Sequence, residues 1–291
     1  MSTVAGNLRV ILADIKLAHS IFALPFAVIG LLLGTRGQPP TLELAFKILL
    51  AMIFARSAAM AFNRLADQGF DASNPRTQGR SLPSGRVSTR AMVTFLVANL
   101  VGFLIVAASL SRLCLLLAPL VLAVLCSYSL AKRFTAWAHL VLGFALALAP
   151  PAAYLAARGS VDTDVGGVLL FALAVLLWVA GFDIIYACQD IDHDRREGLN
   201  ALPARLGLIK ALRIARWLHV CMIAALLAAI FVAGLGTLSL VGVALVIGLL
   251  VVEHRLVAGG DLSNVGAAFF TVNGVVSVLF AGFVSADLLA R

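Results

Sequence analysis

The sequence has little charge. Asp, Glu, Lys and Arg together make up 12% of the 291 residues, where about 25% is usual for a soluble domain. With 62% of residues hydrophobic and a mean hydropathy of +1.04, the chain lacks the polar surface to cover itself in water. That excludes a soluble globular protein and implies an integral membrane protein whose surroundings are lipid. Cysteine is scarce too. Cys114, Cys126, Cys188 and Cys221 all lie in apolar runs, and none forms a C-x-x-C pair. A disulfide framework or a thiolate metal site is therefore not expected, and the four read as small core hydrophobes. No A-x-A-like cleavage site follows the first apolar run, 18–34, which contains Pro25; it reads as a retained span and not as a signal peptide. Acidic residues are in the minority, 14 against 22 Lys and Arg. A basic excess can mark a nucleic-acid partner, but here it follows a membrane-topology pattern, so no nucleic acid is expected.

What is abundant is the long apolar run. A span needs roughly 20 apolar residues, and nine segments qualify: 18–35, 43–66, 90–110, 113–130, 136–157, 165–188, 211–234, 237–253 and 264–288. Gly and Pro punctuate the connections, as in GQPP, NPRTQGRSLPSGR and GLNALPARLG. Nine crossings put the termini on opposite sides. Arg64, Arg76, Arg80, Arg86, Arg90, Lys132, Arg133, Arg195, Arg196, Arg205 and Lys210, with several others, then share the side of the N-terminus, against only Arg36, Arg112, Arg158 and Arg291 on the other. Positive charge concentrates on the cytoplasmic side, so the N-terminus is expected in the cytoplasm and the C-terminus outside. The two Arg-rich connections, 67–90 and 189–210, are the largest, and both are expected to face the cytoplasm.

Each of these connections begins with acid. Asn63, Asp67 and Asp71 are spaced four apart at the end of the second span; Asp183, Tyr186, Asp190 and Asp194, spaced three, four and four, end the sixth. Helical periodicity puts each set on one face. A charge within a span costs roughly 2.5–3.5 kcal/mol on insertion scales, so such residues usually face a polar interior and act there. Two carboxylate stripes repel unless cations intervene, and oxygen-only donors suit Mg²⁺, which keeps waters and bridges carboxylates to phosphate oxygens. With Arg76, Arg80, Arg195, Arg196 and Lys132 close by in the sequence, acid, metal and base together match a diphosphate. The plainer alternative is that the acids cap helices and pair with loop arginines. The two turns are also alike, D-ASNPRTQGRS-LP-SGR and D-RREGLNA-LP-ARLG, a weak sign of internal duplication.

At these residues the sequence resembles the UbiA superfamily of membrane prenyltransferases, whose signatures are N-x-x-x-D-x-x-x-D and D-x-x-Y-x-x-x-D-x-x-x-D. NPRTQGRSLPSGRVS and YSLAKRFTAWAHLVLG add to the likeness, which covers essentially the whole chain. The resemblance implies an all-α, polytopic membrane bundle of nine transmembrane helices with a cytoplasm-facing active-site cap, and a single prenyltransferase domain over 1–291. It implies two Mg²⁺ ions held by Asn63, Asp67, Asp71, Asp183, Asp190 and Asp194 on the diphosphate of a polyprenyl donor. Lys132 matches a family basic residue near that diphosphate, and Arg76, Arg80 and Arg195 are expected to join it. Asp67, Asp190 and Tyr186 are the expected catalytic residues. Many members have Asp after the motif Asn; Arg64 stands there instead, which takes one carboxylate away. The overall pattern looks most like the 4-hydroxybenzoate-polyprenyltransferase-like subgroup, some of whose members serve menaquinone synthesis by the futalosine route with a dihydroxynaphthoate acceptor, alongside those of ubiquinone synthesis.

The expected chemistry is ionisation of an allylic diphosphate, with metal and basic side chains stabilising the leaving group, followed by attack of an electron-rich aromatic ring. A lipid setting keeps water from the cation. Arg56 lies seven residues before Asn63 on the same face, roughly 10 Å deeper at 1.5 Å per residue. It is read as a clamp for the carboxylate of an aromatic acid such as 4-hydroxybenzoate, with Lys16 as a second candidate; an internal ion pair is the alternative for Arg56. His19 and His139 read as packing or interface residues, and Asn273 as an interhelical hydrogen-bonding group. The competing functions are prenylation of a haem or chlorin and, in another class, a cation-coupled transporter, which would place its acids near the bilayer midplane on interrupted helices.

Overall fold

In lipid a backbone must satisfy its own hydrogen bonds, so apolar runs of this length fold as helices. The computed structural model describes residues 4–15 and 17–290, and among them there is no strand. The helices are α1 (Val4–Asp14), α2 (Leu24–Gly34), α3 (Leu42–Ala66), α4 (Gln68–Ser73), α5 (Thr89–Leu110), α6 (Arg112–Ala131), α7 (Ala138–Ala147), α8 (Ala149–Arg158), α9 (Val165–Ala187), α10 (Ile191–Arg196), α11 (Leu202–Leu206), α12 (Leu208–Val232), α13 (Thr237–Leu256) and α14 (Asn273–Leu289). Eight helical stretches among the described residues are long and apolar enough to cross a membrane, several of them running through a kink. The first of the nine segments differs. Its apolar helix, Ser20–Gly34, falls below that length, because the chain enters it through a 3₁₀ turn, Leu17–Phe22, and Pro25 can sit only in the first turn of α2.

The described chain divides into two compact units. One comprises residues 1–20 and 46–130 and has a small core of Ile11, Ile15, Ala61, Leu82, Val87 and Met92. Along α5 and α6 few of the apolar side chains are buried and several stay exposed, among them Ile105 and Leu116, as expected of helices bathed in lipid. Gly102 of α5 lets the ring of Phe54 on α3 come close; a Cβ there would lie 2.8 Å from the ring.

The other unit comprises residues 21–45 and 131–291. Its core is a column of large side chains: Phe26, Phe171, Trp178, Met222 and Phe280 are all buried. Trp178 and Phe182 meet edge to face with ring centroids 5.1 Å apart, a favoured arrangement for aromatic pairs. Polar groups in this core are matched. The indole of Trp178 donates to Asn273 Oδ1 at 2.6 Å, and Asn273 Nδ2 donates to Glu253 Oε1 at 2.8 Å and to the Ala268 carbonyl at 3.0 Å. Asn273 is thus the interhelical hydrogen-bonding group its sequence position predicts. Its bond to Ala268 spans a π turn over Ala267–Val272 that leads into α14, where an inserted side chain is a recognised cause of such a turn. Asp287 of α14 accepts from the backbone N–H groups of Gly236 and Ser239 and from the Ser239 hydroxyl, satisfying the open start of α13. Of the cysteines only Cys188 is buried, and Cys221 is exposed on α12, not part of a core; none is in a disulfide.

Backbone approach decides the packing of α2. A Cβ on Gly30 would sit 2.0 Å from the carbonyl oxygen of Pro150 in α8, and one on Gly34 would sit 2.7 Å from the Ala157 methyl. Gly248 on α13 meets nothing within 4 Å. The same substitution should therefore act with opposite signs. Gly30→Ala should cost about 1–3 kcal/mol by overpacking, whereas Gly248→Ala should be neutral or stabilising by up to about 1 kcal/mol through helix propensity. Unfolding of the purified protein in detergent measures both, and equal midpoints would refute the close approach.

Candidate active site

The first acidic motif lies where α3 gives way to α4. The helix stops at Ala66, and Asp67 has φ −94°, ψ 6°. Even so, the i to i−4 bonds run on: Asp67 N–H donates to the Asn63 carbonyl at 2.9 Å, and Asp71 N–H to the Asp67 carbonyl at 2.8 Å. The three side chains therefore keep their common stripe across the break. Asp67 and Asp71 are buried, 4% and 6% exposed. Asn63 Nδ2 donates to Asp67 Oδ2 at 3.0 Å, and its Oδ1 accepts from Arg64 Nη1 at 2.9 Å. Arg64 is itself buried and lies 3.6 Å from Asp14 Oδ2 of α1, which also accepts from the Ser81 hydroxyl at 2.6 Å. The residue that departs from the family pattern thus fixes the motif amide in place. Asp71 accepts from one guanidinium nitrogen of Arg80 with both of its oxygens, at 2.7 and 2.8 Å. Two residues with separate expected roles, metal ligand and diphosphate binder, are partners here.

The second motif repeats the geometry. Asp183 and Tyr186 belong to α9, Asp190 closes a 3₁₀ turn over Cys188–Asp190, and Asp194 lies in α10. Asp190 has φ −102°, ψ 8°, close to the angles of Asp67. Both middle aspartates fall in the sparsely populated bridge region, where many active-site residues sit, and both end a membrane-length helix. This equivalence of backbone supports the internal repeat that the turns hint at. Asp194 is buried at 7% exposure, whereas Asp192, off the stripe, is exposed. The Tyr186 ring stacks on Phe269 at 4.1 Å between centroids. Asp183 Oδ2 lies 2.6 Å from His139 Nδ1.

The basic residues are held by the loops. Asn200, in the turn after the second motif, donates its N–H to the Lys132 carbonyl at 2.8 Å and its amide to the Arg133 carbonyl at 2.9 Å. The 132–133 turn is thereby tied to the motif it was expected to serve. Arg195 Nε donates to the Ala204 carbonyl at 2.9 Å. Arg76 is exposed in an Asn74-anchored turn. Arg56 is partly buried; its Nε is enclosed without a hydrogen-bond partner, and among the described residues it makes no ion pair. The ion-pair alternative for Arg56 thus finds no partner there. Lys16 lies outside the described residues. Among the described residues, no three His, Cys, Asp or Glu side chains converge as a ready metal-holding group.

Sequence reasoning missed Asp14, Asn200 and His139. Asp14 and Asn200 are single polar residues with no periodic partner, and a pattern search has nothing to detect in them. His139 at the start of an apolar run reads as packing until its neighbour is known.

Comparisons with known proteins bear on the family and the fold. Residues 23–275 match the model of the UbiA prenyltransferase family. A 4-hydroxybenzoate octaprenyltransferase of Nitrosospira multiformis is 32% identical over 263 residues, 90% of this chain and 88% of that protein. One of Klebsiella pneumoniae is 32% identical over 254 residues, 87% of this chain and 86% of that one. Among solved structures, a UbiA homolog from Aeropyrum pernix K1 superposes with a TM-score of 0.84 at 36% identity, covering 94% of this chain and 98% of that one. A UbiA homolog from Archaeoglobus fulgidus bound to DMAPP and Mg²⁺ shares the fold, with a TM-score of 0.74 at 20% identity over 96% of this chain and 99% of that one.

The bond between Arg80 and Asp71 carries its own expectation. Arg80→Met leaves a buried carboxylate short of its charged donor, which should cost roughly 1–3 kcal/mol. Arg80→Lys should recover most of that loss, because a single nitrogen makes both bonds. Thermal unfolding of the two variants decides, and a Met variant as stable as the parent would mean that the pair contributes nothing.

Proposed function

This chain belongs to the UbiA prenyltransferase family and is an integral-membrane prenyltransferase, and we propose that it transfers a polyprenyl group from a polyprenyl diphosphate to an aromatic acid. The acceptor we infer is 4-hydroxybenzoate, the acceptor named for its relatives, with a dihydroxynaphthoate as the second acid that the same clamp would take. The observation that carries the reading is the matched pair of motifs: each ends a membrane-length helix, and each breaks it at the middle aspartate with the same backbone angles.

The donors fit Mg²⁺. Asn63, Asp67, Asp71, Asp183, Asp190 and Asp194 supply oxygen only, and three of the carboxylates are buried, where their charge calls for a cation. Among the described residues no three His, Cys, Asp or Glu side chains converge, which suits an ion that keeps several waters and completes its shell on substrate phosphates. Bound there, Mg²⁺ would neutralise charge on the departing diphosphate. The remaining tasks fall to side chains. Lys132, Arg76, Arg80 and Arg195 bind diphosphate oxygens. Tyr186, its ring tilted 32° against that of Phe269, offers a π face to the allylic cation, the kind of attraction that rings give to cations. Arg56, enclosed with its Nε unpaired, donates to the acid substrate's carboxylate, and Lys16 assists. Residues 1–291 act as one domain, with the N-terminus and the Arg-rich loops in the cytoplasm, as the distribution of Lys and Arg supports.

Purified protein supplied with Mg²⁺, labelled farnesyl diphosphate and 4-hydroxybenzoate should form a prenylated acid. Asp67→Ala and Asp190→Ala should each lower the rate by at least about 100-fold, on the scale of losing one transition-state charge contact, while the protein stays folded. Arg56→Ala should raise KM for the acid and leave KM for the diphosphate within about twofold. Full turnover in excess EDTA would overturn the metal reading, and an unchanged KM for the acid would overturn the clamp. Substituting a dihydroxynaphthoate in the same assay ranks the two acceptors.

A further inference from the structure

His139 is the second residue of α7; it lies in the family-like stretch YSLAKRFTAWAHLVLG, and the sequence gives it no partner. Its position is set by a helix contact. Gly143, one turn further along α7, lies against α9 so closely that a Cβ there would sit 2.4 Å from the Leu176 carbonyl oxygen. With the two backbones in contact at that point, the start of α7 comes alongside the last turns of α9, where Asp183 stands. The approach leaves His139 buried at 5% exposure and its Nδ1 2.6 Å from Asp183 Oδ2. An ionised carboxylate can only accept, so Nδ1 carries the hydrogen. The other ring nitrogen is enclosed with no hydrogen-bond partner among the described residues. The bond to Asp183 is therefore the one polar contact that the ring makes there.

We propose that His139 is a positioning residue for the second acidic motif: it holds Oδ2 of Asp183 from behind, so that the other oxygen, Oδ1, is the one presented to metal and diphosphate. Asp183 is partly open, with 23% of its side chain exposed, whereas Asp67, Asp71 and Asp194 are buried. A carboxylate on a helix face swings among rotamers unless something fixes it, and each swing would cost the ion a ligand. A buried imidazole anchored by the contact of Gly143 with Leu176 is rigid enough to remove that freedom. Ligating carboxylates are commonly held by such outer hydrogen bonds, whose loss costs about 10–100-fold in metal affinity. The first motif has the same device in different chemistry, with Arg64 holding Asn63 and Asn63 holding Asp67.

The inference rests on the reading of Asp183 as a ligand, and the test separates the two. Mn²⁺ serves as the probe, followed by its paramagnetic resonance signal in the full-length protein with geranyl S-thiolodiphosphate and no acceptor, so that no turnover is needed. His139→Leu should weaken Mn²⁺ binding about 10–100-fold and leave KM for 4-hydroxybenzoate unchanged. His139→Asn, whose amide nitrogen stands at the same distance along the side chain as Nδ1, should bind within a few-fold of the parent. Should the Leu variant fail to fold, His139→Phe, which keeps a flat ring and carries no donor, must show the same loss. Asn and Leu variants equally impaired would make His139 a packing residue and overturn the proposal, as would a Leu variant that binds Mn²⁺ normally. A parent protein that holds no Mn²⁺ with the diphosphate would overturn the ligand reading itself, and the role of His139 with it.

Discussion

A carboxylate inside an oily helical protein must be answered by a donor or a cation, and the polar architecture of this chain follows from that requirement. Unpaired, such a group would cost several kcal/mol. Asp71 is answered by Arg80, Asp67 by Asn63, Asp183 by His139, and Asp287 by the open end of α13. Each answer comes from a neighbouring turn or helix, so the acids bind the elements together.

The helix breaks serve the same end. A straight helix would carry Asp67 and Asp190 past the end of the span at a fixed angle. Ending the helix at these residues and restarting it at once turns the next carboxylate, and the basic loop behind it, relative to the span. Backbone in the bridge region costs free energy that the surroundings must offset. Here the offset comes from continued i to i−4 bonding in the first motif and from a 3₁₀ turn in the second. Two stretches that keep one backbone break argue that the angle itself matters.

Apolar packing supplies the rigidity behind these contacts. Gly30 and Gly143 bring helix backbones within contact of a carbonyl on a neighbouring helix, an approach that small residues permit and that lipid-exposed proteins rely on in place of a hydrophobic drive. The column around Trp178 then fixes α9 along its length, and with it the register of Asp183 and Tyr186. A single added methyl at a glycine far from the acids would therefore reach them through the helix axis.

The sequence by itself determined the all-helical membrane class, the acidic stripes and the family, because hydropathy and four-residue spacing are local properties written along one helix. It also placed Asn273 correctly as a bonding group, since a lone amide in a span has few other uses. Of the nine apolar segments it marked, eight reach membrane-crossing length among the described residues and the first is a shorter apolar helix, because the Pro and 3₁₀ entry that shorten α2 do not alter hydropathy. Only the tertiary structure decided that Arg80 belongs to Asp71, that Arg64 steadies Asn63, and that His139 stands behind Asp183. Those partners are separated by from one to 44 residues, and nothing in their spacing announces the pairing. It arises where helices touch, and the approach of one backbone to another is set by the packing of the whole unit and not by any single stretch of chain.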